Sequence, residues 1–238
     1  MMSQVQKRWS YSFIIGLALF LICLAYIPQW QSHAPRIHAS VPTSPYLTPW
    51  TVASVTILGL SLAIAAAPLR SQHPIQTVLS KTLALLVFCF AAVFLLEYAS
   101  GIRVPDLDIF LLPDVSGQRV AQYSARPTPY SSITSLLFSV GLLFLKRDET
   151  WRMRVFLFSV LAGLLLPALG ALGYLFHFPS PPTQTSLVKV GLSLPAVILY
   201  LVLGSGLLAL RRRLKAVSTD APQMQKAMGR RFSLRKKD

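Results

Sequence analysis

Residues 83–114 read LALLVFCFAAVFLLEYASGIRVPDLDIFLLPD, and the reading of this stretch decides the fold. From Leu83 to Leu96 no charge interrupts the apolar run; then Glu97, Arg103, Asp106, Asp108 and Asp114 follow in quick succession. An apolar run of this kind approaches the roughly 20 residues that a helix needs to cross the hydrocarbon core of a bilayer. The stretch therefore reads as a membrane-spanning helix that leaves the lipid at Glu97 and opens into a loop. Within that loop Leu107, Ile109, Phe110, Leu111 and Leu112 form an apolar patch that open water does not favour. The patch is expected to pack on helix ends or to dip into the interface, making the loop a docked cap.

Working outward, similar runs occur at 11–27, 50–69, 131–145, 155–176 and 187–210, which with 83–98 makes six. The fourth, 131–145, is the shortest and needs residues 128–130 or a locally thinner bilayer to reach across. The chain of 238 residues is 53% hydrophobic and 13% charged, where a soluble domain carries about a quarter charged residues. The expected fold class is an all-α integral membrane protein with six transmembrane helices. Its expected divisions are a first helical hairpin over 1–78, a four-helix region over 79–213 and a basic tail over 214–238.

The net charge of +15 raises the possibility of nucleic acid, but the distribution of the charges argues for lipid instead. With the N-terminus placed in the cytoplasm, the inner segments hold Lys7, Arg8, Arg70, Lys81, Lys146, Arg147, Arg152, Arg154 and ten basic residues after Leu210. The outer segments hold only Arg36, Arg103, Arg119, Arg126 and Lys189. This is the asymmetry of the positive-inside rule, so both termini are expected in the cytoplasm of a bacterial inner membrane. The stretch after the first run, PQWQSHAPRIHAS, lacks a small-x-small cleavage signature, so that run reads as a retained helix. Cys23 and Cys89 fall inside spans, and no disulfide is expected.

The second half of the chain repeats itself. Tyr98 matches Tyr174, and Gly141-Leu142-Leu143 matches Gly206-Leu207-Leu208; the two units differ mainly by 11 extra residues in the first outer loop. A duplicated helical hairpin is the expectation. The E-Y-x-x-G end of the third span, the loop motif D-x-x-L-L-P-D, the stretch RPTPYSSITSLLF and the later ALGYLFHFPS together resemble a bacterial multi-pass membrane sensor domain. Domains of that family precede PAS, histidine-kinase or GGDEF outputs. The resemblance covers residues 83–213 and implies a sensory input made of helical hairpins. Residues 214–238 hold neither a coiled-coil linker nor an output domain, so such a sensor is expected to signal through a protein partner.

The residues that carry chemistry are few. Glu97 and Lys189 sit at outer span ends, within snorkelling reach of the interface; they read either as ordinary interfacial charges or as an ion pair joining two hairpins. Arg103, Asp106, Asp108, Asp114, Arg119 and Arg126 balance one another, as suits a loop that folds back on itself. Asp106, Asp108 and Asp114 lack the glycine and closing glutamate of a calcium loop, and no metal is expected. His33, His38, His73 and His177 share no helix face, so no haem or other cofactor is expected either. No nucleophile is paired with a base and no phosphate-binding loop is present, which argues against an enzyme.

Pro167 and Pro195 are expected to interrupt the fifth and sixth spans, a transporter-like trait. The span interiors nevertheless offer only Ser, Thr and Tyr as polar groups, which disfavours transport. Arg211, Arg212, Arg213, Lys215, Arg230 and Arg231 are expected to meet the anionic inner leaflet or a partner, in a tail that lies on the membrane surface or is disordered. The expected function is a non-enzymatic sensory or signal-relay module, the alternative a structural accessory subunit of a larger membrane complex.

Overall fold

A computed structural model describes residues 10–37, 47–67, 74–102, 104, 126–145, 150–176 and 192–234, with the helix path alone given for 27–37 and 216–234. The described residues form six helices: α1 (Tyr11–Ile37), α2 (Pro49–Ala66), α3 (Pro74–Ser100), α4 (Pro129–Phe144), α5 (Thr150–Leu175) and α6 (Leu194–Leu234). Four of them, α2, α3, α5 and α6, are long and apolar enough to cross a membrane. The described apolar part of α1, Tyr11–Tyr26, and the whole of α4 are shorter; at 1.5 Å per residue, the 16 residues of α4 reach only about 24 Å.

The helices close a ring of three hairpins. Helices α2, α4 and α6 touch one another around the centre; α1 fills the gap between α2 and α6, α3 that between α2 and α4, and α5 that between α4 and α6. The contacts fix the directions. Leu62 and Ala66 of α2 meet Gly206 and Arg213 of α6 in the same order, and α4 and α6 both run against α5, since Phe144 meets Trp151 while Phe138 meets Gly163, and Gly204 meets Leu164 while Val197 meets Gly170, so the central three run parallel. Trp50 meets Phe94 while Ser61 meets Ser80, so α3 runs against them. The bundle thus has a cap end, where α3 gives way to α4, and a tail end, where α6 passes Arg211.

The helices are apolar on most of their faces, and close packing, small residues and hydrogen bonds join them. Helices α1 and α2 approach most closely at Gly16 and Gly59: a Cβ on Gly16 would stand 2.6 Å from the Gly59 carbonyl oxygen. Helices α2 and α3 exchange hydrogen bonds through Ser61, which donates to the Ser80 carbonyl at 2.8 Å, and Ser80, which donates back to the Ser61 carbonyl at 3.0 Å. Gln76 adds a bond to the Ile64 carbonyl. At the tail end Arg213 Nη1 reaches the Ala66 carbonyl at 2.7 Å and so satisfies one of the orphan acceptors at the C-terminus of α2. The outward face of α5, with Phe158, Leu161, Leu165 and Leu169, is exposed and apolar.

Two expectations are corrected. Pro195 is the second residue of α6, where its fixed φ suits the first turn and its missing N–H costs nothing, so it interrupts no span. Pro167 lies inside α5, which continues through it, as α1 does through Pro28 and Pro35 and α6 through Pro222; among the described residues no helix is broken at a proline. Nor is the tail disordered over its length: α6 runs unbroken for 41 residues to Leu234.

Candidate functional site

The cap end is built by local rules. Each central helix opens on a hydroxyl N-cap: Thr48 Oγ1 accepts from the Thr51 N–H, Thr128 Oγ1 from the Ser131 N–H at 3.2 Å and Ser193 Oγ from the Ala196 N–H. Proline follows at the start of α2 and of α4, as the helix N1 position prefers. Helix α3 stops at Gly101, whose φ of 69° is left-handed and which donates its N–H to the Glu97 carbonyl at 2.9 Å. Glycine is the residue that takes this turn without steric penalty.

The turn returns the chain onto Glu97. The Val104 N–H donates to Glu97 Oε1 at 2.7 Å. Arg126, just before α4, donates from Nη2 to the same oxygen at 3.1 Å and to the Val104 carbonyl at 3.0 Å. Both ionic side chains are buried, at 2% exposure for Glu97 and 2% for Arg126. Removing two charges from water is costly, and the pair is tenable because further hydrogen bonds surround it. The Arg126 guanidinium also lies over the Phe94 ring, 5.1 Å from its centroid, and the far side of that aromatic cluster is Trp50, 5.1 Å from Phe94 and 5.0 Å from Phe90. Tyr98 completes the latch by donating to the Pro127 carbonyl at 2.9 Å.

The neighbouring hairpin has the same tyrosine latch. Tyr174, at the end of α5, donates to the Leu192 carbonyl at 2.8 Å. Pro127 and Leu192 each stand two residues before the helix that follows. Deeper in, Tyr200 of α6 lies against Phe138 and joins α4: its hydroxyl is 2.8 Å from Ser135 Oγ and donates to the Ser131 carbonyl at 3.2 Å.

Of the sequence-predicted residues, Glu97 and Arg126 come together. Glu97 is a buried member of an ion pair rather than an interfacial charge reaching for water. Its proposed partner Lys189 lies outside the described residues, as do Arg103, Asp106, Asp108, Asp114 and Arg119 and with them the expected apolar cap. Arg211, Arg212, Arg213 and Lys215 stand at the tail end on α6, with Arg212 and Lys215 exposed; Arg230 and Arg231 lie on its helical continuation. Sequence reasoning missed Trp50, Tyr200, Ser131 and Ser135, whose only signal was a polar atom inside an apolar run. Among the described residues no three His, Cys, Asp or Glu side chains gather where they could hold a metal ion. Cys23 and Cys89 are free thiols. Comparison with protein-family models, with curated proteins and with solved structures finds no match for this chain.

Proposed function

We propose that this chain is a non-enzymatic sensory or signal-relay module of a bacterial inner membrane, crossing it six times with both termini in the cytoplasm. On this reading the cap end faces outward and senses, α6 relays, and the basic tail hands the change to a protein partner. The observation that carries the reading is the course of α6. A single helix bonds to α4 near the cap end through Tyr200, bonds to α2 at the tail end through Arg213, and then continues to Leu234. Its 41 residues span about 60 Å, twice the hydrocarbon thickness of a bilayer. A shift or rotation at the cap therefore has one continuous helix to travel along, with Pro222 in its last part.

The hairpins of this module descend, on the same reading, from one duplicated unit. The tyrosine latch spans 29 positions in α3–α4 and 18 in α5–α6, and the difference is the 11-residue loop excess. The start of the first return helix, Thr48-Pro49-Trp50-Thr51, parallels Thr128-Pro129-Tyr130-Ser131 and supports extending the repeat to all three hairpins.

A structural accessory subunit is the second reading, favoured by the closed ring and the tight α1–α2 contact, which suit a rigid body. Mild solubilisation, isolation through a C-terminal tag and identification of what comes along separates the two. A kinase or cyclase held by the tail supports relay, a stoichiometric multi-subunit assembly supports the scaffold, and ion-coupled uptake of a solute into proteoliposomes overturns both.

A further inference from the structure

The outer side of the α5–α6 pair carries one pattern twice. On α5 the exposed residues Arg154, Phe158, Leu161 and Leu165 follow one another along one helix face. On α6 Ile198, Ser205 and Arg212 stand at seven-residue intervals on one face, with Ile198 and Arg212 exposed. Each helix thus presents an outward strip, mainly apolar, that ends in an arginine toward the tail end.

The packing of the two helices sets those arginines level. Leu164 of α5 lies against Gly204 of α6, and Gly170 against Val197, which fixes the antiparallel register. Counted toward the tail end, Arg154 lies about 15 Å beyond Leu164 and Arg212 about 12 Å beyond Gly204. The two residues therefore stand within one helical turn of the same height, on neighbouring helices whose axes pack roughly 8–10 Å apart. Both turn outward, because the opposite faces bury Phe156 and Val160 against Gly141 of α4 and Leu203 and Leu207 in the core. The strip of α6 opens between α5 and α1, whose Ile15 meets Gly206.

Height and charge define the occupant. Trp151, one turn before Arg154, is exposed, as is Tyr11 at the start of α1, and amphipathic rings at span ends mark the headgroup level of a bilayer. Two guanidiniums on one face at one height repel each other, and the only carboxylate among the described side chains, Glu97, is at the cap end. A phosphate diester offsets both charges, and its oxygens accept the paired N–H bonds of a guanidinium fork. We propose that the outer face of α5 and α6 is a binding site for one anionic phospholipid, its phosphate held between Arg154 and Arg212 and its acyl chains laid along the two strips. This is a fixed place for a lipid, distinct from the general attraction of a basic tail to an anionic leaflet. It rests on the reading that the bundle lies in a membrane and not on the relay reading.

Retained lipid tests it. The full-length chain is reconstituted in nanodiscs of equal phosphatidylglycerol and phosphatidylcholine with the same acyl chains, then released in a native mass spectrometer, and the lipids that stay bound are identified. The parent should retain one phosphatidylglycerol in preference to phosphatidylcholine. Arg154→Gln with Arg212→Gln should abolish the preference, at roughly a fivefold loss for each arginine. Arg230→Gln with Arg231→Gln removes the same charge from the distal tail and should leave the preference in place. Equal retention of the two lipids by the parent, or equal losses from the two double variants, overturns the proposal. So does a lipid-free dimer that Phe158→Ser breaks, which would put a second copy of the chain on this face. A chain that stays outside bilayers of either lipid overturns the membrane reading and the site with it, whereas a chain that inserts without lipid preference overturns the site alone.

Discussion

The α3–α4 and α5–α6 hairpins solve the same joint in two ways. In both, a tyrosine at the end of the outgoing helix bonds a carbonyl two residues before the returning helix, and a hydroxyl caps that returning helix. Only the first adds the buried pair of Glu97 and Arg126. At the matched positions the second carries Gly173 and Gly191, and a Cβ on Gly173 would meet nothing within 4 Å. Among the described residues, the tyrosine bond and the hydroxyl cap are what the two hairpins share. The ion pair does something else: it pins the longer connection, through Val104, onto the helix end and fixes Phe94 beneath Arg126.

The largest break of this comparison is Arg126→Ala. It leaves Glu97 charged and buried, and the Val104 carbonyl without that bond, so the variant should lose about 3–5 kcal/mol of stability. Reversible unfolding in mixed micelles measures it. The double change Glu97→Leu with Arg126→Met should recover most of the loss, since an apolar pair of similar volume carries no desolvation penalty. If Arg126→Ala proves as mild as a surface substitution, the pair is not the feature that sets the two hairpins apart.

Next in size is a pair of glycine substitutions with opposite signs. Gly101→Ala forces a side chain into the left-handed turn that returns the chain to Glu97, at a cost of about 1–2 kcal/mol. Gly173→Ala sits in a helix with open space around it and should gain about 0.5–1 kcal/mol. Thermal unfolding midpoints of the two variants, read against the parent, check the signs. Two changes of like sign would mean that the two helix ends are not built differently.

What was legible in the sequence follows the same division. The helices were legible because an apolar run long enough to cross lipid has few other structures open to it. The tyrosine match was legible because Tyr98 and Tyr174 are polar handles at the ends of such runs, and the offset of 11 places that the sequence suggested recurs in their hydrogen bonds. The partner of Glu97 was not legible, because Arg126 stands 29 residues away and several basic residues were equally available to a flexible loop. Helices that are apolar all round carry no periodic signal of which face turns inward, so nothing in the sequence assigned neighbours to Trp50 or Tyr200. Pro195 misled for a different reason: a proline inside an apolar run reads as a kink unless the helix start is known to lie one residue before it.

The smallest expected effect sharpens the comparison most, because it is a difference that should vanish. Tyr98→Phe and Tyr174→Phe each remove one hydroxyl donated to a half-buried carbonyl and keep the ring, so each should cost about 1 kcal/mol. If the two latches are the same device, the two costs agree within the error of paired unfolding measurements, and the double variant loses their sum, since the residues share no partner. Tyr98 is the more informative member. Its carbonyl belongs to Pro127, next to Arg126, so a latch that also positions the ion pair would make Tyr98→Phe the costlier substitution and leave less for Arg126→Ala to remove. Equal costs with full additivity would instead show that the charged latch was laid over a joint that already closed without it.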